Sequence, residues 1–191
     1  MNNTGAIFDM DGILIDSEPL WFEAANDVFK EFHVQLNEEQ YASSLGLRTP
    51  EFVEYWFRKL NLDLNKKSKT INDINDSVIG KIEEKGQALP GVLEVLNLLK
   101  NKSCKIGLAT SSTSNIIQVV LRKLNIASYF HTLSSAEKLD HGKPHPQVYL
   151  NCAESLNLTP LECFCFEDSY NGMISAKAAR MRCIVVPSPL L

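Results

Sequence analysis

No stretch of the 191-residue chain reaches the roughly 18 consecutive apolar residues that a membrane span needs, so no transmembrane helix is expected. The opening residues, MNNTG, show no basic region followed by an apolar one. No signal peptide is therefore apparent, and the expected location is cytoplasmic. No block of Lys and Arg stands out and the net charge is −4, which gives no reason to expect a nucleic-acid partner. An anionic ligand would need a positive field confined to its own site. No C-x-x-C pair occurs among the five cysteines, Cys104, Cys152, Cys163, Cys165 and Cys183. They read as small hydrophobes of a reducing compartment rather than as thiolate metal ligands. No G-x-S-x-G elbow surrounds Ser111 and Ser112, which argues against a serine nucleophile. His33, His131 and His141 lack metal-ligand spacing, and His145, between two prolines, reads as a local structural residue. No long exposed apolar stretch demands a second subunit, so a monomer is expected.

What is present is an ordinary globular composition, 45% apolar and 22% charged, with length for one domain or a core with an insertion. Residues 5–8 read as a short buried strand. Residues 17–32, SEPLWFEAANDVFKEF, place Leu20, Ala24, Ala25, Val28, Phe29 and Phe32 at helical spacing behind Ser17 as N-cap. A polar stretch over 35–43 precedes a second helix at 50–60, with Thr49 as cap and Pro50 first. In it Phe52, Tyr55, Trp56 and Phe57 read as helical core. The Asn/Lys-rich segment 61–85 keeps isoleucines at near-helical spacing.

Leu89-Pro90-Gly91 ends that rhythm. Helices at 91–101, 113–125, 145–157 and 171–180 then alternate with strands at 105–110, 130–134, 162–167 and 182–186. The alternation predicts an α/β fold: a Rossmann-like parallel sheet flanked by helices, completed by residues 5–8 if an all-helical segment is inserted between them. The boundaries expected are 1–15 plus 88–191 for the core and 16–87 for the insertion.

In open parallel sheets, ligands bind beyond the carboxyl ends of the strands. Asp9 and Asp11 follow the first strand, Thr110, Ser111 and Ser112 the second, and Glu167 and Asp168 a later one, while Gly142-Lys143-Pro144 opens a helix. Carboxylates gathered at one edge repel one another unless a cation joins them, and oxygen ligands suit Mg²⁺. With Lys143, such an ion can neutralise a phosphoryl group. Asp9 is then placed to attack phosphorus and Asp11 to move protons beside it.

DMDG at 9–12, the Thr110-Ser111 element, Lys143 in GKPHP and Glu167-Asp168 in FEDSYNG occur in order, and together they resemble the haloacid dehalogenase superfamily of phosphatases over essentially the whole chain. The resemblance implies that Asp9 forms an aspartyl-phosphate and that Asp11 protonates the leaving alcohol and then deprotonates water. It implies that Thr110, with Ser111 and Lys143, binds phosphate, and that Mg²⁺ is held by Asp9, the Asp11 carbonyl, Asp168 and Glu167, the last directly or through water. The insertion at 16–87 resembles a helical cap of this superfamily, hinged near 15–17 and 88–91. In that cap Arg48, in LGLR, stands where related sugar-phosphate enzymes reach substrate, against the plainer reading of a surface arginine. Trp21 reads as core packing ahead of pocket lining. It also occupies the position of a histidine found in the β-phosphoglucomutase branch, which favours hydrolysis over mutase chemistry.

The segments EPLW, LGLR, SSAEKL, KPHPQVYL and AARM resemble the 2-deoxyglucose-6-phosphate phosphatase type, so the expected substrate is a hexose phosphate. A phosphomutase is the alternative. A dehalogenase would have no use for Asp11 together with Asp168, and a non-catalytic scaffold is hard to reconcile with an intact set of acids. Relatives of this type are expected to continue past residues 185–187 by a further helix and short strand.

Overall fold

The computed structural model describes residues 4–187. Five parallel strands form one sheet: β1 (Gly5–Phe8), β2 (Lys105–Thr110), β3 (Thr132–Ser135), β4 (Cys163–Glu167) and β5 (Arg182–Val185), in the order β3-β2-β1-β4-β5. The first strand lies at the centre, with Phe8 level with Leu108 on one side and Phe166 on the other. Its residues are buried throughout, which explains an apolar run with no alternation. The chain order reverses beside β1, so the ends of β1, β2 and β4 share one crevice.

Eight α-helices accompany the strands among the described residues: α1 (Glu18–Phe29), α2 (Glu38–Ala42), α3 (Thr49–Lys59), α4 (Lys67–Lys85), α5 (Val92–Asn101), α6 (Ser114–Leu124), α7 (Gln147–Ser155) and α8 (Tyr170–Ala178). The first four come between β1 and α5. Helix α4 packs on α1, α3 and α6, burying Ile74, Val78 and Ile82. The two chain crossings into this helical segment lie side by side. Asp16 N–H donates to the Gln87 carbonyl at 3.0 Å and Leu89 N–H to the Leu14 carbonyl at 3.2 Å.

Several expected boundaries shift for local reasons. The helix expected over 17–32 ends at Phe29, passes into a 3₁₀ turn at Lys30–Phe32, and stops where His33 takes a φ of 57°. The polar stretch at 35–43 contains α2, begun by a capping box between Asn37 and Gln40. Thr49 opens α3 rather than capping it. Arg48 holds the cap position because the Glu51 carboxylate accepts its N–H, and the Thr49 hydroxyl donates instead to Asn75 on α4. Phe52, Trp56 and Phe57 are buried as expected, whereas Tyr55 faces out. All five cysteines are free; Cys183 is half-buried and the other four are buried. No helix among the described residues is long and apolar enough to cross a membrane.

Candidate active site

Asp9 leaves the end of β1 and remains buried, as do Thr110 at the end of β2 and Glu167 and Asp168 at the end of β4. Lys143, on the loop before α7, is 1% exposed, an uncommon place for an ammonium without partners. Its Nζ lies 2.6 Å from Glu167 Oε1 and 3.0 Å from Asp9 Oδ1. Burial opposes the lysine charge, but Asp9 and Glu167 outweigh it and hold the ammonium above its usual range.

Glu167 is saturated. Oε1 accepts from Lys143 and from the Tyr149 hydroxyl of α7, while Oε2 faces the N–H and hydroxyl of Ser169, at 3.5 and 3.3 Å. Ser169 also caps α8, so neither acid serves as that helix's cap. Gly172 sits where any Cβ would overlap the Glu167 carboxylate.

Three carboxylates thus share one ammonium. Asp9, Glu167 and Asp168 each bring an oxygen within 4.8 Å of the others. Asp168 Oδ2 is buried without a hydrogen-bond partner. Asp9 Oδ1, though at ion-pair distance from Lys143, does not meet it along a hydrogen-bond direction. Burial, then neighbouring Glu18 and Glu167, push Asp168 up to about 8. Burial and Glu167 raise Asp9 well above the usual carboxylate range. Orphaned oxygens in an under-neutralised buried cluster suit a hard divalent cation, so Mg²⁺ fits this donor set. Gly12, with φ +71°, leaves the space that the Asp168 carboxylate occupies.

Asp11 points into a different set of contacts. Its Oδ1 accepts from the Ser17 hydroxyl at 2.6 Å and from the Trp21 indole N–H at 2.9 Å, and its Oδ2 accepts from the Ser112 hydroxyl at 2.7 Å. Ser17 occupies the N-cap position of α1 but makes no side-chain cap bond, because its hydroxyl is turned to Asp11. Trp21 is therefore part of the pocket wall as well as packed against the core.

Of the remaining expected residues, Thr110 Oγ1 accepts from Ser112 N–H at 3.1 Å, and the Ser111 hydroxyl donates to the Gly46 carbonyl at 2.8 Å. Asn171 holds the adjacent Leu45 carbonyl at 2.8 Å. Both bonds draw the 44–48 loop over the crevice. Arg48 departs from its expected place. It is neither a surface arginine nor part of the pocket lining. Its guanidinium donates to the carbonyls of Ala136 at 2.9 Å and Leu139 at 2.6 Å and pairs with Glu51 at 2.6 Å. The residues around the crevice leave about 60 Å³ beneath the loop.

Sequence reasoning placed Ser112 at this strand end without a role and missed Ser17, Tyr149, Glu18 and Tyr41 at this site, which carry no local signal.

The haloacid dehalogenase-like hydrolase family model matches residues 6–186. Hexitol phosphatase B of Escherichia coli is 43% identical over 185 residues, 96% of this chain and 83% of that protein. The phosphorylated carbohydrates phosphatase of Thermotoga maritima is 33% identical, over 91% of this chain and 80% of its own. The crystal structure of CbbY from Rhodobacter sphaeroides in complex with phosphate shares the fold, with TM-score 0.90 at 21% identity over 98% of this chain and 88% of that one. The chain belongs to the haloacid dehalogenase-like hydrolases and is a phosphatase-type enzyme of that family.

Proposed function

We propose that this enzyme hydrolyses hexose or hexitol monophosphates, 2-deoxyglucose-6-phosphate among them, in a Mg²⁺-dependent reaction through an aspartyl-phosphate on Asp9. The observation that carries the reading is the buried Asp9–Lys143–Glu167–Asp168 cluster, with one ammonium among three carboxylates and an unpartnered Asp168 oxygen. Asp9, Asp168 and the Asp11 carbonyl are the ligands this reading assigns to Mg²⁺, with Glu167 behind them because both its oxygens are engaged. When bound, the ion supplies charge neutralisation and polarisation at the phosphoryl oxygens.

An Asp9 carboxylate oxygen attacks phosphorus, and the bond from phosphorus to the leaving oxygen breaks. Asp11 delivers its proton to that oxygen, which departs as the alcohol. Water then attacks the same phosphorus while Asp11 takes its proton, and cleavage of the Asp9–phosphorus bond frees inorganic phosphate. Lys143, Thr110 and Ser111 hold the phosphoryl oxygens. Residues 16–87 form a cap over a core made of 1–15 and 88–191, and closure of the 44–48 loop excludes bulk water. Trp21 favours hydrolysis over phosphomutase chemistry, since an indole N–H donates but has no basic nitrogen.

Phosphate release from a panel of sugar and hexitol monophosphates, with and without Mg²⁺ and beside Asp9→Asn, tests the reading. The expected result is metal-dependent release that Asp9→Asn abolishes. Conversion of β-glucose-1-phosphate to glucose-6-phosphate without release would make the protein a mutase.

A further inference from the structure

The helical side of the pocket is mostly apolar, lined by Ala25, Leu45, Leu47, Phe52 and Ile74. Four polar residues interrupt it. Two are engaged within the fold: the Ser44 hydroxyl donates to the Tyr41 carbonyl and accepts from the Trp56 indole, and the Thr49 hydroxyl donates to Asn75. The other two are Glu18 and Tyr41. The Tyr41 hydroxyl donates to Glu18 Oε2 at 3.1 Å, while Glu18 Oε1 accepts nothing among the described residues. The Tyr41 ring is braced edge-on by Phe22 at 5.3 Å and Phe52 at 6.0 Å. Glu18 directly follows Ser17, which holds Asp11. The pair therefore stands on the side of the proton donor, where the leaving alcohol departs, and not on the Lys143 side that takes the phosphoryl group.

We propose that Glu18 and Tyr41 select the leaving group, exchanging hydrogen bonds with the hydroxyls of a sugar or polyol and so favouring it over an apolar alcohol of equal length. This rests on the phosphatase reading above. A polar pair in an apolar wall recognises by penalty as much as by attraction. An alcohol without hydroxyls leaves both groups unpaired, and sites of this kind discriminate strongly against the analogue that lacks the partner.

The test compares kcat/KM for a hexitol 6-phosphate with that for n-hexyl phosphate, which presents the same primary phosphate ester and chain length without the hydroxyls. The native enzyme should prefer the hexitol ester at least tenfold. Glu18→Leu should reduce that ratio about tenfold or more, and Tyr41→Phe about threefold. An unchanged ratio in both variants overturns the selection while leaving the phosphatase reading in place. Absence of phosphate release from either ester with native enzyme overturns both. If Glu18→Leu fails to fold by thermal melt, Tyr41→Phe decides, because its ring keeps the Phe22 and Phe52 contacts.

Discussion

The Trp21 indole N–H donates to Asp11 Oδ1 at 2.9 Å, across ten residues and from the first turn of α1. The bond ties the residue assigned to proton transfer to α1. With the Ser17 and Ser112 hydroxyls it fixes the Asp11 carboxylate from both sides of the crevice, so the start of α1 and the end of β2 jointly set its orientation.

Trp21→Phe removes the donor and keeps an aromatic ring. A hydrogen bond to a charged group is worth roughly 1.5–3 kcal/mol, so misplacing Asp11 should lower kcat about tenfold or more with the melting curve little changed. Steady-state kinetics on the preferred sugar phosphate measures this, and an unchanged kcat would show that the serines alone position Asp11.

Lys143→Met strands buried carboxylates without their ammonium. The expected loss is about 3 kcal/mol or more of stability in metal-free protein, read by urea denaturation, together with loss of phosphate release. The double variant Lys143→Met, Glu167→Gln should be less destabilised than the sum of the singles, since the second change removes a charge that the first left unpaired. Strict additivity would contradict a direct coupling.

Acidity should stabilise the metal-free protein within limits. Asp168 and Glu18 are each pushed up to about 8 in the fold, burial being the largest cause, whereas both titrate near 4 in an unfolded chain. Between those values the folded state holds protons that the unfolded state has released. Their stabilising contribution is therefore full below about pH 4 and is lost as pH rises through about 8, by an amount on the order of a few kcal/mol. Mg²⁺ has to displace the Asp168 proton, so it should raise Tm more at pH 8.5 than at pH 6. Equal shifts at the two pH values, measured against a chelator control, would argue against this cluster as the ion's site.

Two glycines should respond in opposite senses to alanine. Gly12→Ala puts a Cβ into the Asp168 carboxylate at φ +71° and should abolish the Mg²⁺-induced rise in Tm. Gly80, inside α4, has open space for 4 Å around the place a Cβ would take, so Gly80→Ala should stabilise by about 0.5–1 kcal/mol. Differential scanning fluorimetry with and without Mg²⁺ distinguishes the two.

The strand ends were legible because burial on both faces of a parallel sheet writes continuous apolar runs, and the acids that follow those runs stand out against them. The helical segment was legible as helices but not as a pocket. Helical periodicity reports which face of a helix is buried; it carries no information about the pairing of Glu18 with Tyr41, 23 residues away, which depends on how α1 and α2 pack. Ser17 misled for a local reason: a serine before a helix reads as a cap, and here its hydroxyl has a stronger acceptor in Asp11. Arg48 was expected to reach substrate, and the pattern LGLR carries no sign of the acceptors it meets here, the Glu51 carboxylate and the carbonyls of Ala136 and Leu139.

Those carbonyls have a consequence for what constrains the positions that carry them. The pocket leaves about 60 Å³, and the 44–48 loop over it is fastened by bonds from Arg48 to Ala136 and Leu139, from Ser111 to Gly46 and from Asn171 to Leu45. The acceptor in each is a peptide oxygen, which every amino acid supplies. These bonds therefore do not read side-chain identity at their acceptors, and what constrains those positions is packing: Ala136 and Leu45 are buried, and Gly46, at φ +79°, has the Ser169 hydroxyl 2.6 Å from the place a Cβ would take.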